Sequence, residues 1–204
     1  MENNKKYITN GWLAIIIVIL ILVIDQIIKI EVKTNMTLGE AIRITDWFYI
    51  DFIENNGMAY GMTFFNKLVL SLFRTFAIGS IGWYIWRVVK TGIFSRGYIV
   101  CLAMILAGAA GNLIDCLFYG LIFDASTPFS VADFVSFGTG YSTFLHGKVV
   151  DMFYFPIIRS GEKVIFFSPV FNFADSCVTV GAFYLLLFQW KFFSGEGKKK
   201  DKEK

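Results

Sequence analysis

The chain has 204 residues, of which 56% are hydrophobic and only 17% are charged, and its mean hydropathy is +0.60. This composition excludes an ordinary soluble domain, because a water-exposed surface needs more charged side chains. The net charge of +3 is too small to indicate a nucleic-acid partner. The sequence therefore predicts an α-helical integral membrane protein.

The cysteine and histidine residues give no sign of a metal site. Cys101, Cys116 and Cys177 have no CxxC spacing and stand in or beside apolar segments, so buried free thiols are favoured over a disulfide. His146 is the single histidine, and it cannot form a zinc site with thiols this scattered. We expect neither a metal nor a cofactor.

The first apolar segment, residues 12–30, is long enough to cross a bilayer, which takes about 20 residues. It ends without the small-residue cleavage site of a signal peptide, so we expect an uncleaved helix. Asp25 and Lys29 stand four residues apart and share a helix face near its far end. A local ion pair with a snorkelling lysine would explain them, and so would a functional role.

Residues 31–66 have a different, strand-like pattern. Apolar and polar side chains alternate in part between Ala41 and Glu54, which is the period of a half-buried strand. The Asn-Asn-Gly sequence that follows marks a turn. We therefore expect this segment to form a small β element on the membrane surface rather than another span.

Three further apolar segments complete the predicted bundle: 68–89, 98–119 and 171–193. The small-residue run Gly108–Gly111 in the second of these allows another helix to approach closely. Asn112 and Asp115 follow it, three residues apart on one helix face. The connection 121–170 is long, and it is either an ordered lobe or a flexible cover. One membrane domain results, with four transmembrane helices, a small β-sheet and an extended outer loop.

Lysine and arginine are concentrated in three short segments. Residues 1–11, 87–96 and 191–204 carry two, three and six of the 19. Four spans put these segments on one side, so the positive-inside rule predicts that both termini are cytoplasmic. Five polar residues then fall at one depth near the outer ends of the spans: Asp25, Asn112, Asp115, Asp151 and Asp175. This coincidence predicts a functional site at the extracytoplasmic face.

The chemistry open to this site is that of carboxylates. The sequence has no Ser/His pair, no HExxH, no GxSxG and no Walker-type glycine loop. Two aspartates within about 4 Å hold one proton between them, so one can activate water while the other supports an oxyanion. Asp151 and Asp175 are the predicted pair, with Asn172 on the helix face of Asp175. Asp115 is a rival to Asp151, and Asp175 could equally be a first-turn acid favoured by the helix dipole.

Five short motifs carry a resemblance to a known family. In chain order they are Asp25-Gln26-Ile27-Ile28-Lys29, Glu54-Asn55-Asn56-Gly57-Met58-Ala59-Tyr60, Gly108-Ala109-Ala110-Gly111-Asn112-Leu113-Ile114-Asp115, Val149-Val150-Asp151 and Phe171-Asn172-Phe173-Ala174-Asp175. In this order and on this topology they resemble bacterial lipoprotein signal peptidase (signal peptidase II) over residues 12–193. Each motif alone is weak, but five in register are specific.

The resemblance implies an aspartic endopeptidase of the bacterial inner (cytoplasmic) membrane. It suggests a monomer, and small-residue packing at Gly108–Gly111 would also support self-association. The substrate of this enzyme would be a prolipoprotein, cut just before a cysteine that carries a diacylglyceryl thioether, and a globomycin-type cyclic peptide would inhibit it. Asp151 and Asp175 match the catalytic pair of the family. The supporting residues around the pocket are matched by Asp25, Lys29, Asn55, Gly57, Asn112, Asp115, Asn172 and Ala174.

The chain departs from the family pattern at two places. The arginine that usually follows the aspartate of the third motif is Cys116 here, so either Arg159 or Lys148 supplies the cation or the ionic support is weaker. The segment between the third and fourth motifs is also longer than usual, by about two dozen residues at roughly 123–144. This insertion is either a lid or substrate-selecting element or a tolerated surface insertion.

Two other classes of protein fit parts of the pattern. A small transporter would relay protons through intramembrane carboxylates, but its acids would lie near mid-membrane and its halves would repeat. A non-enzymatic assembly protein would use the small-residue face at Gly108–Gly111. Cleavage of a lipid-modified prolipoprotein distinguishes the peptidase from both.

Overall fold

The computed structural model describes residues 2–55, 67–160, 163–166 and 169–188. The chain packs as two compact units. The first unit consists of the chain up to Val23, Thr75–Ala110 and the chain from Ala174, and the second consists of Ile24–Arg74 and Gly111–Phe173. Most of the predicted site residues therefore belong to the second unit.

Long apolar runs form the helices, because a helix satisfies its backbone hydrogen bonds internally. The helices are α1 (Glu2–Asn35), α2 (Lys67–Thr91), α3 (Arg96–Ile114), α4 (Gly120–Ile122) and α5 (Phe173–Phe188), with a π-helical turn at Asp115–Tyr119 between α3 and α4. Within the described residues, three segments are long and apolar enough to cross a membrane: Ile8–Asn35, Leu68–Thr91 and Arg96–Ile122. A fourth apolar helix, α5, is shorter. The predicted α-helical integral membrane fold is confirmed.

The first three membrane-spanning segments contain the predicted spans 12–30, 68–89 and 98–119. The fourth prediction, 171–193, overlaps α5, and residues 189–193 lie outside the described residues. The helix α1 continues to Asn35, into the segment expected to form the β element. In its last turn the Thr34 hydroxyl donates to Ile30 O and the Asn35 amide donates to Glu31 O.

The first unit has an apolar core made by its helices. Ala14, Val88, Ile99 and Leu185 are buried in it, each from a different helix. Gly108 lets α3 and α5 approach closely, because a Cβ at this position would collide with the backbone oxygen of Ala174. The small-residue run of α3 therefore packs against α5, as its composition predicts. The three cysteines are buried free thiols, which confirms that prediction.

The second unit contains an antiparallel sheet with the strand order β1-β2-β3-β6. Its strands are β1 (Ala41–Thr45), β2 (Phe48–Asn55), β3 (Val149–Tyr154) and β6 (Val170–Phe171), and β4 (Ile158–Ser160) and β5 (Lys163–Phe166) form a separate hairpin. In the pairing of β2 with β3, Ile53 lies opposite Asp151 and Glu54 lies opposite Val150. Because side chains alternate along a strand, Asn55 shares a face with Asp151, and Glu54 projects from the other face.

Residues 123–148 connect α4 to β3, and we call them the 123–148 loop. Backbone hydrogen bonds hold this loop to the preceding helical turns, from Ser142 N to Gly120 O at 2.8 Å and from Gly147 N to Cys116 O at 2.9 Å. Gly147 leaves no room for a side chain, because a Cβ there would collide with the backbone oxygen of Asp115. These contacts favour the ordered lobe over the flexible cover for this part of the connection, and the choice between them stays a prediction.

Candidate active site

Lys29 is the centre of a buried ionic cluster. Its Nζ lies 3.0 Å from Asp25 Oδ2 and 2.8 Å from Asp115 Oδ2, and it donates a 2.8 Å hydrogen bond to Asn112 Oδ1. An ammonium group has three N–H donors, so these three acceptors satisfy it completely. The Asp25–Lys29 pair is present as predicted, but the lysine does not snorkel, because its side chain has an exposed fraction of 0%.

Neutral donors offset the excess negative charge of this cluster, which has two carboxylates for one ammonium. Gln26 Nε2 donates to Asp115 Oδ1 at 3.0 Å and to Asp25 Oδ2 at 3.2 Å, and the backbone N–H of Val150 donates to Asp115 Oδ2 at 3.3 Å. The Tyr119 hydroxyl donates to Gln26 Oε1 at 3.1 Å. Gln26 and Tyr119 are site residues that the sequence did not predict. The π-helical turn carries both Asp115 and Tyr119, and such turns are frequent at functional sites.

Asp151 lies on β3 and accepts hydrogen bonds from two side-chain amides. Asn172 Nδ2 is 2.7 Å from Asp151 Oδ1, and Asn55 Nδ2 is 3.2 Å from Asp151 Oδ2. Only 2% of Asp151 is exposed, and Asn172 is fully buried. Donors on both oxygens favour the ionised form of a carboxylate.

A continuous chain of hydrogen bonds connects Lys29 to Asp151. Lys29 donates to Asn112 Oδ1, and Asn172 Nδ2 donates to the same oxygen at 3.0 Å. Because an ammonium can only donate, the atom facing it must be the oxygen of the Asn112 amide. The group that Asn172 points at this oxygen must then be its NH₂, which also donates to Asp151. Lys29 thereby fixes the orientation of the Asn112 and Asn172 amides. As a result, it is the NH₂ group of Asn172 that faces Asp151.

The other predicted site residues lie at the start of α5 and after β2. Asp175 is the acidic residue in the first turn of α5, in the first unit, and is partly buried. Ala174 is fully buried beside Gly108. Gly57 lies outside the described residues. The pairing of Asp151 with Asp175 stays a prediction.

Cys116 stands where the resemblance to signal peptidase II predicts an arginine, and an arginine from another helix contacts it. Arg74 of α2 directs Nη1 to Cys116 Sγ at 3.4 Å. The predicted replacement Lys148 instead binds Glu54, with its Nζ 2.8 Å from Glu54 Oε2. A cation is thus supplied next to Cys116, but from a residue that the sequence did not single out.

A second buried polar group, which we call the Glu54 cluster, consists of Lys33, Glu54, Ser126 and Lys148. Both lysines and the serine bind the Glu54 carboxylate. Burial alone would raise the pKa of Glu54, but the charges and hydrogen bonds of Lys33 and Lys148 outweigh it and hold that pKa below its ordinary value of 4.5.

Among the described residues, no three His, Cys, Asp or Glu side chains are arranged to hold a metal ion.

The helices and the small sheet form a fold that is similar to those of two solved bacterial membrane enzymes. One solved structure of a bacterial membrane enzyme superimposes with a TM-score of 0.64 at 22% identity, over 89% of this chain and 90% of that one. A second gives a TM-score of 0.60 at 21% identity, over 85% and 90% of the two chains. At this level of identity the likeness concerns the fold alone.

The family follows from the sequence comparisons. The family model described as Signal peptidase (SPase) II matches residues 17–191, and the chain belongs to this family. It is 43% identical over 197 residues to a lipoprotein signal peptidase of Porphyromonas gingivalis, covering 92% of this chain and 87% of that protein. It is 34% identical over 186 residues to a lipoprotein signal peptidase of Amoebophilus asiaticus, covering 84% and 75%. Family membership favours the peptidase over the transporter and the assembly protein.

Proposed function

We propose that this chain is an aspartic endopeptidase that removes signal peptides from diacylglyceryl-modified prolipoproteins, with Asp151 and Asp175 as its catalytic residues. Membership of the signal peptidase II family supports the peptidase activity, and the names of the relatives support the class of substrate. The observation that carries the proposal is the state of Asp151. It is a nearly buried carboxylate whose two oxygens each accept one amide N–H.

Asp151 is the proposed general base. Its ionised carboxylate takes a proton from a water molecule, and the water oxygen attacks the carbonyl carbon before the lipid-modified cysteine. Asp175, protonated, donates a hydrogen bond to the carbonyl oxygen as it gains negative charge. The tetrahedral intermediate breaks at the C–N bond as Asp151 gives the proton it took from water to the departing cysteine nitrogen. The two aspartates again hold one proton between them, and they need no metal or cofactor.

The supporting residues are proposed to set the geometry and protonation of this pair. Asn55 and Asn172 keep Asp151 ionised and fixed in place. Asp25, Lys29, Asn112 and Asp115 lie behind them, and the lysine sets the direction of the amide hydrogen bonds. Gly57 and Ala174 are kept as supporting residues on their match to the motifs of the family alone.

Membrane lipid and the acyl chains of the substrate are proposed to meet the apolar faces of the helices. Phe73, Phe76 and Leu187 are large, apolar and 67%, 75% and 69% exposed, which suits a hydrocarbon surrounding. The distribution of Lys and Arg supports both termini in the cytoplasm and a site at the extracytoplasmic face of the inner membrane. We expect a monomer that a globomycin-type cyclic peptide inhibits.

Cleavage of a purified diacylglyceryl-modified prolipoprotein by the full chain in detergent micelles tests the proposal. The wild type should cut before the modified cysteine and leave the same prolipoprotein with a free cysteine uncut. Asp151→Asn and Asp175→Asn should each lower kcat by about 10²–10⁴-fold, the share of general acid–base catalysis. Turnover retained by both folded variants would refute the pair. Loss in Asp115→Asn with retention in Asp151→Asn would make Asp115 the partner of Asp175.

A further inference from the structure

The Glu54 cluster has every polar atom of its carboxylate engaged. Glu54 Oε1 accepts from Lys33 Nζ at 2.6 Å and from Ser126 Oγ at 3.1 Å, and Oε2 accepts from Lys148 Nζ at 2.8 Å. Lys33 Nζ also donates to Ser126 Oγ at 2.8 Å. The side chain of Lys33 is 0% exposed and that of Glu54 is 3% exposed. Such a group is stable only while all its partners are present, because an unpaired buried charge is costly.

Aromatic rings and backbone bonds complete the surroundings of Lys33. Its ammonium lies 5.3 Å from the ring centre of Phe123 and 5.1 Å from that of Tyr141, within range of a cation–π attraction. Ala132 N donates to Lys33 O at 3.4 Å, and Leu38 N donates to Thr127 O at 3.0 Å. The 123–148 loop is therefore bound to the end of α1 through both side chains and backbone.

The position of Glu54 in β2 connects this cluster to Asp151. Glu54 pairs with Val150 and Asn55 pairs with Val149, so both residues are at the end of the β2–β3 ladder. Adjacent strand residues project to opposite faces, so a Glu54 side chain held on one face fixes where Asn55 points on the other. Asn55 is the residue whose amide donates to Asp151 Oδ2.

We propose that the 123–148 loop is a positioning element for catalysis: Ser126 and Lys148 hold Glu54, and Glu54 holds the end of β2 so that Asn55 donates to Asp151. This role rests on the proposed function in that it takes Asp151 to be catalytic. The loop is then neither a lid nor a tolerated insertion. Opening it would separate Lys33 and Glu54 from their partners in a buried place, which disfavours movement.

Kinetics of the full chain on the lipid-modified prolipoprotein test the proposal. Ser126→Ala removes one hydroxyl from the cluster, and Ser136→Ala removes an exposed hydroxyl from the same loop as a matched control. Ser126→Ala should lower kcat about three- to tenfold with KM changed less than twofold, since the hydrogen bond through which Ser126 holds Glu54 is lost. Lys148→Arg should keep most of the activity and Lys148→Met should not. Equal kcat values for Ser126→Ala and Ser136→Ala would overturn the proposal while leaving the peptidase assignment intact.

A double-mutant cycle separates positioning from general loss of stability. In an Asn55→Ala background, Ser126→Ala should reduce kcat no further, because the contact through which it acts is gone. Independent, multiplying effects would overturn the proposal.

Hydrogen exchange gives a readout that does not depend on activity. Peptides covering β2 and β3 should exchange faster in Ser126→Ala than in Ser136→Ala. Identical exchange in the two variants would overturn the proposal even for a chain that failed to cleave the prolipoprotein, and that failure by itself would count against the proposed function alone.

Discussion

Replacing Lys29 with methionine removes the cation that Asp25 and Asp115 both contact. Methionine keeps an unbranched side chain, but the Nζ contacts of 2.8 to 3.0 Å are lost and two fully buried carboxylates remain. Breaking a buried ion pair in this way costs about 3–5 kcal/mol. In a chain of this size each kcal/mol lowers Tm by about 2–4 °C, so we expect a decrease of roughly 6–20 °C.

Thermal unfolding in detergent micelles measures this change. A thiol-reactive dye is a suitable probe, because Cys101, Cys116 and Cys177 are free and buried and react only on unfolding. Lys90→Met is the matched control, since Lys90 is exposed and contacts the Trp86 ring at 4.1 Å, an interaction worth about 0.5–1 kcal/mol at an exposed site. A Tm of Lys29→Met equal to that of the control would refute the argument from buried charge.

A second substitution separates the effect on stability from the effect on activity. Adding Asp115→Asn to Lys29→Met should restore part of the lost Tm, because neutral replacements of buried ion pairs are often tolerated. The kcat should stay about ten- to hundredfold below that of Asp115→Asn alone, because Asn112 no longer faces a donor-only group and a charged hydrogen bond is worth about 1.5–3 kcal/mol. Full recovery of kcat would show that Lys29 does not orient the amides.

Two further predictions concern the second unit. Gly147→Ala should lower Tm by several degrees, because overpacking against the backbone oxygen of Asp115 costs about 1–3 kcal/mol. Gly79→Ala is the control and should not lower Tm, because nothing lies within 4 Å of its new Cβ. Equal Tm values for the two variants would contradict the close packing at Gly147. The pKa of Glu54 is held below 4.5, so its ion pairs contribute their full stability above pH 4.5 and lose it as the pH falls through the lowered pKa. The Tm difference between wild type and Glu54→Gln, measured from pH 7 down to about pH 3, should therefore shrink below pH 4.5, and a constant difference would contradict this sign.

Hydropathy and helical spacing were sufficient to predict much of the fold and part of the site. Apolar runs gave the helices because membrane-spanning segments must bury their own backbone polar groups. The spacing of four between Asp25 and Lys29 and of three between Asn112 and Asp115 put each pair on one face, and Lys29 contacts the other three. These are local relations, which a sequence shows directly.

Other site residues depend on contacts between distant parts of the chain. Gln26 follows Asp25 directly and so projects about 100° away around the helix, yet it donates to Asp115, the first residue of the π-helical turn. The sequence pattern predicts that Lys33 lies in the surface β element, because hydropathy falls after residue 30. The helix α1 nevertheless continues to Asn35 and contains Lys33. The hydroxyl of Ser126, on the other side of Glu54, has no local signal at all.

The polar residues on one face of α1 limit how the 123–148 loop could be transferred to another member of the family. Asp25, Lys29 and Lys33 follow one another at intervals of four and so lie on one face of the helix. This face supplies residues both to the buried ionic cluster around Lys29 and to the Glu54 cluster, which contains Ser126 and Lys148 of the loop. One residue inserted between the two lysines would turn Lys33 by about 100° and move it about 1.5 Å along the axis. The loop therefore cannot be transferred alone. A protein that receives it would also need a basic residue four positions after its own buried lysine.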